Sequence, residues 1–344
     1  MARKRDDKVL EDRILVDQYR FKLTRKIAEG GMGAVYEALQ FGDEGFEKQV
    51  AIKCIQESLS KDKEFVEMFI GEAKLVANLV HQNIVQIYHL GKSGDMYYIA
   101  MEYLDGVNLQ EFMNRHYELG QKVPIDLAAF IISRVCRALE HAHRKTDRFG
   151  NPLHVVHRDV SPKNIMISTE GVTKLTDFGI AKAQTFMRDQ EGDVLMGKAQ
   201  YMSPEQAQYL PTDNRSDIFS LGVVMFELLT GQNLFGSDKT SVILENVICR
   251  EIPKPASINA EIPKELEHLM VKALERNSNK RFQDAGRMGY ELEYYMYHDR
   301  FGPTNVTLEK YMTKIFPELF RQTRPREDKG GGLDTEGDTA VMER

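Results

Sequence analysis

The amino-acid sequence predicts an α+β fold of two lobes, a small strand-rich lobe followed by a larger, mainly helical one. The chain has 344 residues, which is more than a typical single domain. From Tyr19 to about Met101, apolar and polar residues follow the pattern of strands, and after Gly106 they recur at helical spacing. We therefore expect the two lobes at 19–102 and 106–298.

The first lobe is expected to contain antiparallel strands and one helix. The strands are the stretches YRFKLTRKI, GAVYEAL and QVAIKCI, followed by a hairpin around Ser93-Gly94-Asp95. The stretch KEFVEMFIGEAKLVANLV, between the third strand and the hairpin, carries apolar residues at helical spacing. It predicts the helix of this lobe.

The second lobe is expected to be built around helices. A long helix begins after Pro124, with Asp126 as its candidate N-cap. Further helices are predicted at PEQAQ, 216–230, 264–276 and 284–297. The apolar run IFSLGVVMFELL is shorter than the roughly 18 residues of a membrane span. It therefore predicts a buried core helix, and we expect no membrane span in this chain.

The two ends of the chain differ from the lobes. Residues 1–18 are assigned to an N-terminal extension and 299–322 to a C-terminal helical extension. One helical face of the C-terminal extension carries Leu308, Tyr311, Met312, Ile315 and Leu319. This face either docks on its own lobe or binds a partner. Residues 323–344 hold three consecutive glycines and few apolar residues, which predicts a disordered tail.

Composition excludes several classes of protein. Lys and Arg total 46 against 52 Asp and Glu, and this net charge of −6 argues against binding nucleic acid. The three cysteines, Cys54, Cys136 and Cys249, are too widely spaced for a disulfide framework or a metal knuckle. Such cysteine usage indicates a reducing compartment, so we expect a cytoplasmic location.

A glycine cluster and a strand lysine point to phosphate binding. Gly30, Gly31 and Gly33 lie between two strands, where glycine lets the backbone approach an anion closely. Lys53 lies in the apolar strand VAIK and needs a negative partner, because a buried unpaired ammonium is costly. Glu72 on the next helix is the candidate. The pair either holds nucleotide phosphates or is a structural ion pair.

Two further stretches carry residues suited to phosphoryl transfer. In HRDVSPKN, Asp159 can orient a hydroxyl group and Asn164 can bind a divalent ion. In LTDFG, Asp177 follows a short apolar strand and is a second metal-ligand candidate. Oxygen ligands of this kind suit Mg²⁺, which also bridges substrate phosphates.

In this order, the motifs resemble those of eukaryotic-like, Hanks-type Ser/Thr protein kinases. YMSPEQA is similar to the family's Ala-Pro-Glu motif, with Ser203 in the Ala place, and the resemblance pairs Arg281 with Glu205. The wordings GGMGAVYEA and YMSPEQA are most similar to those of bacterial members. The resemblance covers 19–298 and implies a kinase domain with a small antiparallel sheet and one helix in its N-lobe.

The resemblance also implies a role for each site residue. Lys53, paired with Glu72, would hold ATP phosphates, and Asp159 would position the attacking hydroxyl. Asn164 and Asp177 would bind Mg²⁺, with Mn²⁺ as an alternative ion. Met101 falls at the gatekeeper position. The implied ATP-binding residues are Ile27, Ala28, Glu29, Gly30, Gly31, Gly33, Val35, Ala51, Lys53, Met101, Glu102, Leu104, Asn164 and Asp177.

This sequence departs from the family pattern at the centre of the site. Ala28 replaces the first glycine of the loop, a change we expect to be mild. Ser161 stands where the family has Lys, and Lys198 stands where it has Thr. We expect an exchange in which Lys198 brings the cation and Ser161 the hydroxyl to Asp159. Alternatively, Lys163 takes over, or the site is weakened.

The activation segment, 177–205, lacks the usual phosphorylation site. The family's catalytic-loop arginine, here Arg158, normally receives a phosphate from this segment, but GDVLMGKAQ has no hydroxyl and Thr185 lies too early. Glu191 or Asp193 can offer a permanent negative charge instead. We therefore expect activity without phosphorylation of this segment.

The sequence as a whole favours an ATP- and Mg²⁺-dependent Ser/Thr protein kinase of bacterial signalling, which also phosphorylates itself. Pro162 and the absence of the tyrosine-kinase Ala/Arg pattern favour Ser/Thr over Tyr as the acceptor. The alternatives are a pseudokinase that binds nucleotide as a scaffold and a kinase of small molecules. The four residues that pseudokinases usually lose are present, namely Lys53, Asp159, Asn164 and Asp177.

The tail contains candidate phosphorylation sites. Asp338 follows Thr335 at the spacing that phosphothreonine-binding FHA modules often accept, and Thr339 is a second candidate. An FHA-type partner is one interpretation, and a polar tail without such a role is the other. Protein substrates are the remaining expected partners.

Overall fold

The chain folds into the two expected lobes, and the α+β, two-lobe prediction is confirmed. The computed structural model describes residues 13–30, 33–178, 198–299 and 301–321. A β-sheet lobe comes first, a helical lobe follows, and the short link 103–105 joins them.

A six-stranded antiparallel sheet forms the first lobe. Its strands are β1 Ile14–Val16, β2 Arg20–Gly30, β3 Gly33–Phe41, β4 Glu47–Ile55, β5 Ile87–Ser93 and β6 Met96–Glu102, in the order β1-β2-β3-β4-β6-β5. Between β4 and β5 lie the helices α1 Glu57–Ser60 and α2 Lys63–Ala77. Phe65 and Phe69 of α2 pack with Ile99 of β6, which fixes the helix against the sheet.

The two edge strands of this sheet, β1 and β5, are linked by short polar contacts. The Asp17 carboxylate accepts a hydrogen bond from His89 Nε2 at 2.8 Å, and the Val16 amide donates to Ser93 Oγ at 3.4 Å. Leu15 is fully buried in the core of the sheet. Part of the segment assigned to the N-terminal extension is therefore a strand of the first lobe.

Helices make up most of the second lobe. They are α3 Leu109–Glu118, α4 Ile125–His143, α5 Pro204–Ala207, α6 Asn214–Thr230, α7 Thr240–Cys249, α8 Pro255–Ile258, α9 Lys264–Ala273 and α10 Ala285–Tyr297. Helix α6 is buried along nearly its whole length, as predicted for its apolar run. Within the described ranges, no helix combines the length and the apolar character needed to cross a membrane.

The start of α4 differs from the expectation in one detail. The helix begins at Ile125, and Pro124 is the N-cap, with an extended ψ of 128°. Asp126 lies in the first turn, so its assignment as N-cap is wrong. The proline ring already fixes the φ that leads into the helix, which places the boundary before the acidic residue.

A small antiparallel sheet connects the link between the lobes to the candidate metal ligands. Its strands are β7 Gly106–Asn108, β8 Ile165–Ser168 and β9 Thr173–Leu175, in that order. β7 directly follows the link, β8 directly follows Asn164, and β9 ends two residues before Asp177. A Cβ atom at Gly106 would lie 2.1 Å from the Ile167 carbonyl oxygen, so this close strand pairing requires glycine.

The C-terminal helices pack on the second lobe. They are α11 Asn305–Ile315 and α12 Pro317–Arg321. Leu308, Met312 and Ile315 are buried in the core of that lobe, which confirms docking on its own lobe for this face. Thr335 and Thr339 lie outside the described residues.

Replacing Gly91 by Ala tests the link between the edge strands. A Cβ atom on this β5 residue would lie 2.2 Å from Asp17 Oδ2 and 2.4 Å from Tyr98 Cζ. We expect Gly91→Ala to lower the free energy of unfolding by about 1–3 kcal/mol, because the added methyl group overpacks this edge.

Gly71→Ala is the matched control. Gly71 is exposed in α2 and has no neighbour within 4 Å of an added Cβ. The same change should therefore stabilise the protein by roughly 0.5–1 kcal/mol. Denaturant unfolding measures both variants, and shifts of the same sign would contradict the account.

Candidate active site

The glycine cluster forms the tight end of the hairpin between β2 and β3. Gly30 pairs with Gly33, while Gly31 lies outside the described residues. A Cβ atom at Gly33 would lie 1.9 Å from the Cys54 carbonyl oxygen, whereas one at Gly30 would meet none of the atoms that the structure describes within 4 Å. Gly33 is therefore needed for close packing against β4, and among the described residues nothing crowds Gly30.

Lys53 points from β4 toward the second lobe. Its Nζ atom lies 2.5 Å from Asp177 Oδ1, and its cross-strand neighbours are Val35 and Ile99. The structure therefore pairs the predicted strand lysine with the predicted metal ligand. Glu72 lies on α2, but its side chain is outside the described part of the structure, so the Lys53–Glu72 pair stays a prediction.

The end of β6 forms one wall of the cleft between the lobes. Met101 lies opposite Ala51 of β4 and lines a cavity together with Lys53 and Asp177. The other residues that line this cavity are mostly apolar and come from α2, from β5 and β6, and from the segments beside β5 and β9, namely Phe69, Ala73, Val76, Val85, Ile87, Ile99, Thr176 and Phe178. Met101 thus lies where this cavity meets the segment that starts at Glu102, and its assignment as the gatekeeper stays a prediction.

Glu102 ties the link between the lobes to the small sheet. Its Oε2 atom accepts hydrogen bonds from Lys174 Nζ at 2.9 Å and from the Gln86 amide at 3.2 Å. Lys174 is a residue of β9, so one ion pair connects β6 of the first lobe to β9 of the second. No local sequence pattern marks Lys174, because its partner lies 72 residues away along the chain.

The backbone of the candidate catalytic loop is hydrogen-bonded to the buried carboxylate of Asp217. Asp217, in the first turn of α6, has no exposed surface. It accepts hydrogen bonds from the His157 and Arg158 amides at 2.8 and 2.7 Å and from His143 Nε2 at 2.8 Å. Arg158 has a left-handed φ of 64°, a conformation that a non-glycine residue keeps only when its surroundings enforce it.

The pKa of Asp217 reflects this environment. Burial alone would raise the pKa of the carboxyl group, but the hydrogen bond and charge of His143 and the contacts of His157 outweigh burial and lower it. Asp217 is therefore a carboxylate at neutral pH. The sequence signal for it was an acidic residue at the start of an apolar helix, which needs partners when buried.

The predicted catalytic aspartate meets the predicted replacement lysine. Lys198 Nζ lies 2.8 Å from Asp159 Oδ2, and both side chains are at least partly buried. Ser161 is also buried and precedes the turn Pro162–Asn164, whereas Lys163 in that turn is exposed. Of the two candidate lysines, Lys198 is thus the one that contacts the Asp159 carboxylate in this structure.

The two metal-ligand candidates lie on adjacent segments. The Thr176 amide donates to the Asn164 carbonyl oxygen at 2.9 Å, which brings Asp177 next to the catalytic loop. Asn164 Nδ2 donates to the Asp159 carbonyl oxygen at 2.7 Å, so its Oδ1 atom remains as an acceptor. Lys53 contacts one oxygen of Asp177, and the other oxygen is a second hard donor. This donor set fits Mg²⁺.

The pKa of Asp177 also favours metal binding. Burial alone would raise it, but the charge and hydrogen bond of Lys53, and then the charge of Lys198, lower it. The carboxylate form, which a divalent ion requires, is therefore present at neutral pH.

The segment after Asp177 is described only from Lys198 onward. Thr185, Glu191, Asp193 and Gly197 lie outside the described residues. Arg158, the expected partner of Glu191 or Asp193, donates from Nε to Thr212 Oγ1 at 3.3 Å. The proposed acidic substitute for a phosphate stays a prediction.

The Ala-Pro-Glu-like stretch is anchored as expected. Ser203 caps α5 in a capping box with Gln206. Arg281, with 2% of its surface exposed, donates to both oxygens of Glu205 at 2.7 and 2.8 Å. The predicted Arg281–Glu205 pair is confirmed, and Tyr201, in the same stretch, donates its hydroxyl to Glu227 at 2.6 Å.

Comparison with known proteins gives a consistent result. The protein kinase domain family matches residues 21–288. The chain is 37% identical over 303 residues to the tyrosine-protein kinase MasK of Myxococcus xanthus. This match covers 87% of this chain and 46% of MasK. It is 34% identical over 300 residues to the serine/threonine-protein kinase PrkC of Bacillus subtilis, covering 87% and 44%. The chain thus spans about half the length of these curated relatives.

A solved structure supports the fold. The crystal structure of the kinase domain of PknI from Mycobacterium tuberculosis matches with a TM-score of 0.61 and 21% identity. The match covers 82% of this chain and 97% of that domain. At 21% identity, this similarity supports the two-lobe fold alone.

Replacing Asp217 by Asn tests whether the buried carboxylate positions the catalytic loop. One amide oxygen cannot replace two carboxylate oxygens that hold the His157 and Arg158 amides. We expect Asp217→Asn to lower the free energy of unfolding by roughly 1.5–3 kcal/mol and to reduce kcat for phosphate transfer.

Asp213→Asn is the matched control at the start of the same helix. Asp213 accepts from the Arg215 amide, but its side chain is 48% exposed. Its replacement by Asn, which also caps helices well, should change stability by less than about 0.5 kcal/mol and leave kcat unaltered. Equal losses in the two variants, by unfolding and kinetics, would refute a special role for Asp217.

Proposed function

Because the chain belongs to the protein kinase family, we propose that it transfers the γ-phosphate of ATP to serine and threonine hydroxyls of protein substrates. The observation that carries this proposal is the convergence of two lysine–aspartate pairs at the cleft. Lys53 meets Asp177 at 2.5 Å, and Lys198 meets Asp159 at 2.8 Å. A site for phosphoryl transfer needs cations beside the phosphates and carboxylates that orient metal and acceptor.

The nucleotide would lie between the β2–β3 hairpin and the link between the lobes. Gly30 and its neighbours would cover the phosphates, and Val35 and Ala51 would contact the adenine side. Lys53 would pair with the α- and β-phosphates. Mg²⁺ or Mn²⁺, held by Asn164 and Asp177, would neutralise charge on the phosphates.

The protein acts mainly by positioning and by electrostatics. Asp159 accepts or orients the hydroxyl proton of the substrate, and Asp217 holds the loop that carries Asp159. A loose transition state needs little covalent help but a well-placed positive charge near the developing charge. Lys198 is the cation that we assign to this role.

The assignment of Lys198 rests on its contact and on the surroundings of its rivals. Ser161 occupies the position from which the family's lysine would act, and it carries no charge. Lys163 is exposed, whereas Lys198 is already bound to Asp159. The Ser161 hydroxyl would complete the exchange at the same carboxylate.

The acceptor is proposed from the catalytic loop, since the relatives' names differ. MasK is named a tyrosine-protein kinase and PrkC a serine/threonine-protein kinase. Pro162, next to Ser161, favours hydroxyl groups of Ser and Thr. Phosphoamino-acid analysis of the product decides between the two classes.

Regulation and partners complete the proposal. We assign activity without phosphorylation of the activation segment, with Glu191 or Asp193 offering Arg158 a permanent negative charge in place of the phosphate. A cytoplasmic location follows from ATP as the phosphate donor. Thr335 and Thr339 are proposed sites of autophosphorylation, read by an FHA-type partner.

An assay with ATP, Mg²⁺ and a generic protein substrate tests the proposed function. Wild type should incorporate phosphate into Ser or Thr, also after phosphatase treatment, and Asp159→Asn should abolish incorporation. Nucleotide binding without turnover in the wild type would instead favour the pseudokinase alternative. Phosphotyrosine as the main product would overturn the proposed acceptor class.

Two single lysine variants test the replacement of the missing cation. We expect Lys198→Ala to lower kcat by about 10²–10³-fold, as when one preorganised donor to a developing charge is removed. Lys163→Ala should stay within about twofold of wild type, because its side chain is exposed. The opposite order of effects in steady-state kinetics would assign the role to Lys163.

A further inference from the structure

The C-terminal helices α11 and α12, here called the clasp, cover helix α3 with an aromatic cluster. The Phe112 ring of α3 lies 6.2 Å from the Tyr311 ring and 6.4 Å from the Phe316 ring. Phe112, Met312 and Phe316 are all buried. The clasp lies outside residues 21–288 matched by the family, yet it shares the core of the second lobe.

A buried histidine fixes the clasp to α3. His116, 2% exposed, has its Nδ1 atom 2.7 Å from the Phe112 carbonyl oxygen and its Nε2 atom 2.7 Å from the Tyr311 hydroxyl. A carbonyl oxygen only accepts, so Nδ1 donates, and Nε2 of the neutral ring accepts from Tyr311. Burial lowers the pKa of His116, which keeps the ring neutral. Removing the Tyr311 hydroxyl would leave a buried acceptor without its donor.

An ion pair closes the rim of this contact. Arg115 of α3 pairs with Glu318 of α12, and its guanidinium carbon lies 4.9 Å from the centre of the Phe316 ring. Apolar, polar and charged contacts thus link the same two segments.

The clasp also packs against the small sheet, at the turn between β8 and β9. Gly171 has a left-handed φ of 71°. A Cβ atom there would lie 2.1 Å from the Asn305 carbonyl oxygen and 2.6 Å from the Glu309 amide nitrogen. The first turn of α11 is therefore in direct backbone contact with this turn.

Both elements that the clasp holds lead directly to the nucleotide site. Helix α3 follows β7, and its N-cap Asn108 forms a capping box with Glu111 at 2.9 Å in both directions. β7 in turn follows the link 103–105. The gripped turn joins β8, which follows Asn164, to β9, which precedes Asp177. The clasp is thus connected both to the link 103–105, on the adenine side of the site, and to Asn164 and Asp177, on the metal side.

We propose that the clasp is a positioning element for nucleotide binding, with Tyr311 as its main positioning residue. By holding α3 and the β8–β9 turn together, it fixes the spacing between the link 103–105 and the two metal ligands. This inference rests on the proposed function, since it presumes that ATP with Mg²⁺ binds in this cleft. It adds a determinant of ATP affinity that touches no part of the nucleotide.

Two variants at opposite ends of the clasp test the proposal. Tyr311→Phe removes one hydroxyl without opening a cavity, and Gly171→Ala pushes the turn away from α11. We expect each to raise the Kd and the KM for ATP·Mg²⁺ about fivefold or more, within the usual range of coupling between sites. The KM for the protein substrate and kcat should change less than twofold, which a general loss of folded protein would not produce.

Tyr294→Phe is the matched control for the hydroxyl. Tyr294 lies on α10 with 56% of its surface exposed and stacks on His298 of the same helix end. Its variant should bind ATP·Mg²⁺ like wild type. Clasp variants that lose thermal stability but keep wild-type ATP affinity would overturn the proposal.

A measurement on unmodified protein tests the same coupling in reverse. Coupling between two sites is reciprocal, so bound ATP·Mg²⁺ must stabilise the clasp if the clasp stabilises binding. We expect amide hydrogen exchange in residues 305–316 to slow when ATP·Mg²⁺ is added, although these residues lie outside the site. Unchanged exchange there, with protection at the cleft, would overturn the proposal.

These outcomes separate the clasp from the proposed function. If wild type binds ATP·Mg²⁺ but transfers no phosphate, the transfer reaction fails while the binding and exchange tests still decide the clasp. If wild type binds no nucleotide, both the clasp and the proposed function are overturned.

Discussion

The carboxylate of Asp217 is the constraint on which the geometry of the cleft depends. A buried charge is tolerated only with enough hydrogen-bond donors, and here two donors are backbone amides of the proposed catalytic loop, those of His157 and Arg158. The carboxylate therefore holds the loop in a conformation that Arg158 would not adopt alone. Asp159, one residue further, is placed where Lys198 reaches it. Helix α6, buried along its length, supplies the rigid base for this arrangement.

The two lobes are joined near the cleft by ion pairs. Lys53 of β4 reaches Asp177, and Glu102 of β6 reaches Lys174, so each pair spans from the large sheet to the segment around β9. The small sheet receives the contact from Glu102 through Lys174 of β9, whereas Asp177 lies two residues after β9 and Asn164 directly precedes β8. The clasp holds the far side of the small sheet through Gly171. The Glu102–Lys174 ion pair on one side and the close backbone contact at Gly171 on the other thus both hold the small sheet of β7, β8 and β9 in place.

The sequence allowed prediction of those parts of the site that are encoded locally. A short motif contains each of the predicted site residues Lys53, Asp159, Asn164 and Asp177. The apolar run of α6 likewise predicts a buried helix. Helices α3 and α7 were not assigned, because α3 mixes its three buried residues with polar ones and α7 holds only two short apolar runs, separated by Glu245 and Asn246. Neither gives a clear helical period over a long stretch.

Contacts between distant segments could not be predicted in this way. The Glu102–Lys174 and His116–Tyr311 pairs join residues 72 and 195 positions apart, and no local pattern marks them. Lys198 is an intermediate case. The two departures from the family pattern, at Ser161 and Lys198, were enough to predict the contact between Lys198 and Asp159. The pairing of Glu72 with Lys53, in contrast, stays a prediction.

Moving the lysine back tests the central claim most directly, namely that the cation at Asp159 has changed its place in the chain. Lys198→Thr alone removes the cation, and Ser161→Lys with Lys198→Thr restores the arrangement typical of the family. The account predicts that kcat falls at least about 100-fold in the single variant and that the double variant recovers most of this loss. A double variant as inactive as Lys198→Thr alone would show that Lys198 acts in some other way.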